Sequence, residues 1–218
     1  MTKNSKVLVS GCSFSESQPS YNPNDEKQWK PWSDFLSEKY DVKNVARGSY
    51  GNFGISKSIV KEILHGYQPD LVIIQWSGLV RRMTKHDSDL VMEVLKTPQK
   101  DLELVGLDFH SLENLEKYYR ELEYGSLQEI LLIQEFLEKR NIPYICFWGW
   151  REIFRQHEYM NLIYNNNWIL NDNNFGFLNH VTKKWGEESA CVHDGHPNTR
   201  SQKWLFEQIL SRIEKSLI

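Results

Sequence analysis

A chain of 218 residues with a net charge of −3 and a pI near 6.2 is long enough to bury a core. With no Lys/Arg block, it is not built to hold a nucleic-acid backbone. Its three cysteines, Cys12, Cys146 and Cys191, form no CxxC pair and no even set, which argues against a disulfide scaffold and for a reducing compartment.

The apolar run near the N-terminus is too short for a signal-peptide core, and no later run reaches membrane-span length. The expectation is a soluble, cytoplasmic protein without nucleic-acid or membrane partners.

The first element is a short buried strand, Val7-Leu8-Val9-Ser10, running into the tight turn Gly11-Cys12-Ser13-Phe14-Ser15. Residues 16–30 are polar and carry Pro19 and Pro23, which marks a loop. A helix is predicted over 31–40, with proline in its first turn and Trp32, Phe35 and Leu36 on one face. A second strand over 41–46 ends in the turn Arg47-Gly48-Ser49-Tyr50-Gly51-Asn52. Helical spacing of Ile55, Ile59, Ile63 and Leu64 predicts a helix over 53–66. Leu71-Val72-Ile73-Ile74-Gln75-Trp76 is apolar on both faces, as in a covered parallel sheet.

Residues 81–110 read as a charged insertion with one short helix near 90–95. A helical pattern fills 111–140, with Gly125 marking a break between two helices. A fourth strand covers 142–148. Residues 151–184 form a second, irregular region rich in Asn and aromatics, in which Tyr159, Tyr164, Trp168, Phe175 and Phe177 serve as core, lid or sugar platform. Residues 185–196 read as a loop. Leu205, Ile209, Ile213 and Leu217 give the closing helix, 199–218, one apolar face. Strands alternating with helices predict an α/β fold: a parallel sheet covered on both faces, with functional groups at the carboxyl ends of the strands. One domain, 1–218, with insertions at about 81–110 and 151–188, accommodates the whole pattern.

Two stretches carry chemistry. Ser13 follows a strand at a turn, where its own N–H and those after it can stabilise an oxyanion. In His193-Asp194-Gly195-His196-Pro197-Asn198, Asp194 and His196 are two apart and point the same way if the segment is extended. A carboxylate beside an imidazole fixes its tautomer, as a general base requires. A base from the last loop reaches a Ser at the end of the first strand when both lie on one sheet edge. His193 and His196 have a spacing seen in zinc-binding helices, but Gly195 and Pro197 forbid a helix there, so no metal is expected. The turn at 48–52 suits an anion nest at a helix N-terminus, but with no GKS/T sequel and no GxGxxG the case for a nucleotide is weak. Cys12 reads as a small buried residue. Arg81, Arg82 and Arg151 read as solvated surface, with an acidic substrate as the other use.

Taken in order, these pieces resemble the SGNH (GDSL-like) hydrolases. Gly11-Cys12-Ser13-Phe14-Ser15 is similar to that family's first block, with Ser13 in the nucleophile position. Asn44-Val45-Ala46-Arg47-Gly48-Ser49 is similar to the second, and Pro69-Asp70-Leu71-Val72-Ile73-Ile74 to the strand before the third. Asp194-Gly195-His196-Pro197-Asn198 is similar to the fifth. Three departures stand out. Cys12 replaces the usual Asp. The third block has no Asn. One residue, not two, separates Asp194 from His196.

The resemblance implies a three-layer α/β/α, flavodoxin-like fold and a serine esterase acting without a cofactor or metal. Ser13 is then the nucleophile, His196 the base and Asp194 its acid. Oxyanion donors are the N–H groups of Ser13 and Gly48 (Ser49 or Gly51 after a one-residue shift), with Gln75, Ser77 or Asn52 in place of the missing Asn. The implied substrate is a small or carbohydrate ester, an acetylated one among the candidates. A non-catalytic binding module and an O-acyltransferase on the same triad are the other uses of such a chain.

Overall fold

The structure is a computed structural model; it describes residues 4–18, 22, 29–78, 112–149, 160–170, 176–190 and 196–215. Among the described residues four strands, β1 (Lys6–Ser10), β2 (Asp41–Asn44), β3 (Leu71–Trp76) and β4 (Tyr144–Trp148), form one sheet in the order β2-β1-β3-β4. Every neighbouring pair is parallel. Val9 sits between Asn44 and Ile73, and Ile74 pairs with Cys146.

The alternation of side chains along the strands divides the core in two. On one face Leu8, Val72, Ile74, Trp76, Cys146 and Trp148 pack against α2 (Asn52–Leu64) and α3 (Leu112–Glu138). On the other, Val7, Val9, Leu71, Ile73, Ile145 and Phe147 pack against three helices. These are α1 (Trp32–Ser37), α5 (Phe177–Trp185) and α6 (Thr199–Lys215). Strand β3 is buried at every position because helices cover both its faces. Strand β2, at the sheet edge, alternates exposed and half-buried residues instead. This is the doubly covered α/β sheet expected from the sequence.

Three sequence expectations need correction. Gly125 breaks nothing: α3 runs unbroken for 27 residues. A helical Gly costs about 1 kcal/mol relative to Ala, and burial of Leu122, Leu127, Ile130 and Ile133 on either side of it outweighs that. The region 151–184 is not wholly irregular, since it holds α4 (Met160–Ile163) and most of α5. The 185–196 loop contains a 3-10 turn, Gly186–Ser189, and Ala190 bridges Pro197. The short helix expected near 90–95 lies outside the described residues, as do Tyr159 and Phe175.

Trp168 and Phe177 are core residues. Trp168 packs on Trp148, its ring centroid 5.2 Å away, and the backbone beside it extends the edge of β4.

Two side-chain anchors fix α2 over the sheet. Ser10 Oγ lies 2.7 Å from Ser58 Oγ and donates to the Ile55 carbonyl. At the carboxyl edge, the Asn52 amide oxygen accepts from the Ser77 N–H at 2.9 Å and so ties the start of α2 to the end of β3. Among the described residues, no helix is long and apolar enough to cross a membrane.

Candidate active site

In the order β2-β1-β3-β4 the chain leaves β1 toward one neighbour and later returns on its other side. The carboxyl ends of β1 and β3 therefore flank a switch point, where α/β sheets bind their ligands. The turn after β1 stands there. It is closed by the Ser15 N–H donating to the Cys12 carbonyl at 3.0 Å, and it leaves Ser13 at its half-exposed tip.

The turn is held from below. Ser15 Oγ donates to Gln75 Oε1 at 2.6 Å and accepts from the Trp32 indole N–H at 2.9 Å. The other end of the Gln75 amide donates to Cys12 Sγ at 3.0 Å. The Ser15 carbonyl accepts from Ser33 Oγ and from the Asn44 amide. Gly11 has to be glycine, because a Cβ there would meet Ser15 Oγ at 2.8 Å and Gln75 Cβ at 3.0 Å.

His196 enters from the stretch that precedes α6. Its Nε2 lies 2.9 Å from Ser13 Oγ, within hydrogen-bond distance. Two aromatic rings hold the imidazole. Trp29 stacks on it at 4.6 Å between centroids and 15° between planes, and Phe14 meets it edge-on at 5.3 Å. Asp194 lies outside the described residues.

The remaining expected residues fall close by, in different employments. The turn Arg47–Tyr50 is closed by the Tyr50 N–H on the Arg47 carbonyl, with Ser49 at φ +67° in its third position. That position of a type II turn favours Gly. A Cβ on Gly48 would lie 4.0 Å from Ser13 Cβ, so this turn borders Ser13. The Gly48 N–H donates to Glu16 Oε2 at 2.9 Å. Among the described residues, the N–H groups of Ser13 and Ser49 carry no hydrogen bond.

Gln75 and Asn52 are fully buried. The Gln75 amide is spent on Ser15 and Cys12, and the Asn52 amide on Ser77 and Gly78. Ser77 is buried beside Asn52. Among the described residues, no group of three His, Cys, Asp or Glu side chains could hold a metal ion.

Four contributors escaped the sequence reading: Phe14, Glu16, Trp29 and Asn44 in its bracing role. Trp29 precedes a proline-led helix and looked like part of its entry. Glu16 sits in a polar run that gives no period to read. Asn44 marked a family block but gave no sign that its side chain would brace the serine turn.

Solved structures share features of this architecture. The psychrotrophic esterase EstA of Pseudoalteromonas sp., in a structure inhibited by monoethylphosphonate, aligns over 98% of this chain and 99% of its own. The identity is 14% and the TM-score 0.52. Protein YXIM of Bacillus subtilis aligns over 100% of this chain and 58% of its own, at 16% identity and TM-score 0.49. A member of the lipolytic G-D-S-L family from Veillonella parvula aligns over 94% and 96%, at 12% identity and TM-score 0.37. No family model and no curated protein matches the sequence. The chain shares its fold with the Pseudoalteromonas esterase structure, in keeping with the α/β fold expected from the sequence.

Proposed function

We propose that the chain is a serine ester hydrolase. The observation that carries this reading is the 2.9 Å approach of His196 Nε2 to Ser13 Oγ, two groups brought together from opposite ends of the chain. Ser13 Oγ attacks the ester carbonyl while His196 takes its proton, and the carbonyl π electrons move onto oxygen. Collapse of that oxyanion breaks the bond to the alcohol, which leaves with the proton from His196. Water, deprotonated by His196, then releases the acid and restores Ser13. Asp194 orients His196 in this scheme.

The oxyanion is held by the N–H of Ser13 and by the turn 47–50. Glu16 occupies the Gly48 N–H, so the donor left to the substrate in that turn is the N–H of Ser49. One such donor is worth about 2.7–4 kcal/mol in the transition state. A site lacking the third donor keeps its chemistry at a reduced rate.

The esterase fold of the Pseudoalteromonas structure supports this reading over a purely structural module. A small carboxylic ester, an acetylated carbohydrate among the candidates, is the substrate class. Hydrolysis of 4-nitrophenyl acetate tests it. The wild type should exceed both Ser13→Ala and His196→Ala by about a thousandfold or more. Equal rates for all three folded proteins would contradict it.

A further inference from the structure

Beside the serine turn runs a groove of about 470 Å³, within the size range of small-molecule sites. One wall is the run Asn44–Arg47 at the end of β2. The other is α2, through Gly54, Lys57, Ser58 and Lys61. Those four helix positions follow i, i+3, i+4 and i+7 spacing and so form one face. The adjoining face, with Ile55 and Ile59, faces the core. Tyr50 forms part of the lining, its ring against Gly54, where a Cβ would meet it at 3.2 Å.

The charge is one-sided. Arg47, Lys57 and Lys61 are exposed, and among the described residues their side chains carry no hydrogen bond or ion pair. The groove's carboxylate, Glu62, is bound by Lys43 from outside the lining. Arg47 and Lys57 thus stand unmatched, and Lys61 shares the charge of Glu62 with Lys43, so cations outnumber the carboxylate in a concave site on a chain whose net charge is −3. A concentration of one sign against the overall charge attracts ligands of the other sign. Arg47 is also the residue before Gly48, and its N–H donates to the Gly11 carbonyl two residues ahead of Ser13. Arg47 therefore joins one end of the groove to the serine turn, whose own residues lie outside the lining.

We propose that this groove binds an anionic group, a carboxylate or a phosphate, carried by the substrate, so that the preferred esters are negatively charged. The inference builds on the hydrolase reading of Ser13. The binding it claims can be measured without turnover.

Three acetates serve as probes: phenyl acetate, 4-acetoxybenzoate and 4-acetoxyphenyl phosphate. At low ionic strength kcat/KM should favour an anionic ester over phenyl acetate. That preference should fall about tenfold in Lys57→Glu/Lys61→Glu and shrink as salt is added. The exposed pair Lys203→Glu/Lys215→Glu, on α6, makes the same change in net charge and should leave the preference in place. Which of the two anionic esters gains more separates carboxylate from phosphate.

Calorimetric titration of Ser13→Ala with inorganic pyrophosphate should show saturable binding that the double Lys→Glu variant loses. Pyrophosphate binding without turnover of any ester would leave the groove standing and remove the hydrolase reading. Turnover with no charge preference and no pyrophosphate binding would overturn the groove and spare the hydrolase. A preference that survives Lys57→Glu/Lys61→Glu would also overturn it.

Discussion

His196 Nε2 stands 2.9 Å from Ser13 Oγ, across 183 residues of sequence. The contact depends on both ends of the chain reaching one edge of the sheet. Val7 and Val9 in β1 share a hydrophobic cluster with Leu205 and Ile209 of α6, and this places the stretch before α6 over the turn that follows β1.

The His196 imidazole is packed between aromatic rings, stacked on Trp29 and edge-on to Phe14. Trp29→Ala removes the stacked ring and should lower kcat for 4-nitrophenyl acetate about ten- to hundredfold, with a smaller change in KM, because loss of orientation acts on the chemical step. Trp29→Phe should recover most of that loss. A kcat unchanged in Trp29→Ala would show that the stack plays no part.

Glu16 acts through the turn it binds. Its carboxylate fixes the Gly48 N–H and leaves the Ser49 N–H as the free donor. Glu16→Ala should lower kcat about tenfold, within what one oxyanion donor supplies. Glu16→Gln, whose amide oxygen still accepts, should restore part of the rate. A rate that rises in Glu16→Ala would mean the carboxylate blocks the site rather than shaping it.

Gln75 sits where an oxyanion donor was sought, yet its amide is spent on Ser15 and Cys12. Gln75→Leu should therefore act on stability, costing about 1–3 kcal/mol by urea denaturation, since it leaves buried polar groups short of partners. Gly149 lies against the same amide, and a Cβ there would collide with Nε2. A hundredfold loss of kcat in Gln75→Leu at unchanged stability would instead mark Gln75 as an oxyanion donor.

Tyr144 links stability to alkaline pH. Burial, then donation to Glu138 at 2.6 Å, pushes its phenol well above the ordinary value near 10. Below that ordinary value both states hold the proton, and the contribution is complete. Above it the unfolded phenol ionises first, and stability falls until the native phenol titrates. Burial pushes the Cys146 thiol up as well, in the same direction. Urea midpoints from about pH 8 to about pH 11 should fall more steeply for wild type than for Tyr144→Phe. Parallel curves would contradict the assignment.

Much of this was legible in the sequence because it rests on local pattern. The double-faced apolar run Leu71–Trp76 announced a central strand, and Ser13 and His196 stood out as chemistry-bearing residues beside turns. What escaped is set by tertiary packing. Nothing in the residues around Gln75 says that its amide turns inward to a serine and a cysteine. The stack of Trp29 on His196 joins residues whose surroundings in sequence are unrelated. Gly125 looked like a break because the local cost of Gly was visible, while the long-range burial that offsets it was not.

The most direct test is intact-mass analysis and peptide mapping after treatment with a fluorophosphonate, on the wild type, Ser13→Ala and His196→Ala. The account predicts one adduct on the wild type, mapped to Ser13, absent in Ser13→Ala and strongly slowed in His196→Ala. A folded wild type that takes no adduct, or takes it at another residue, would contradict an activated Ser13.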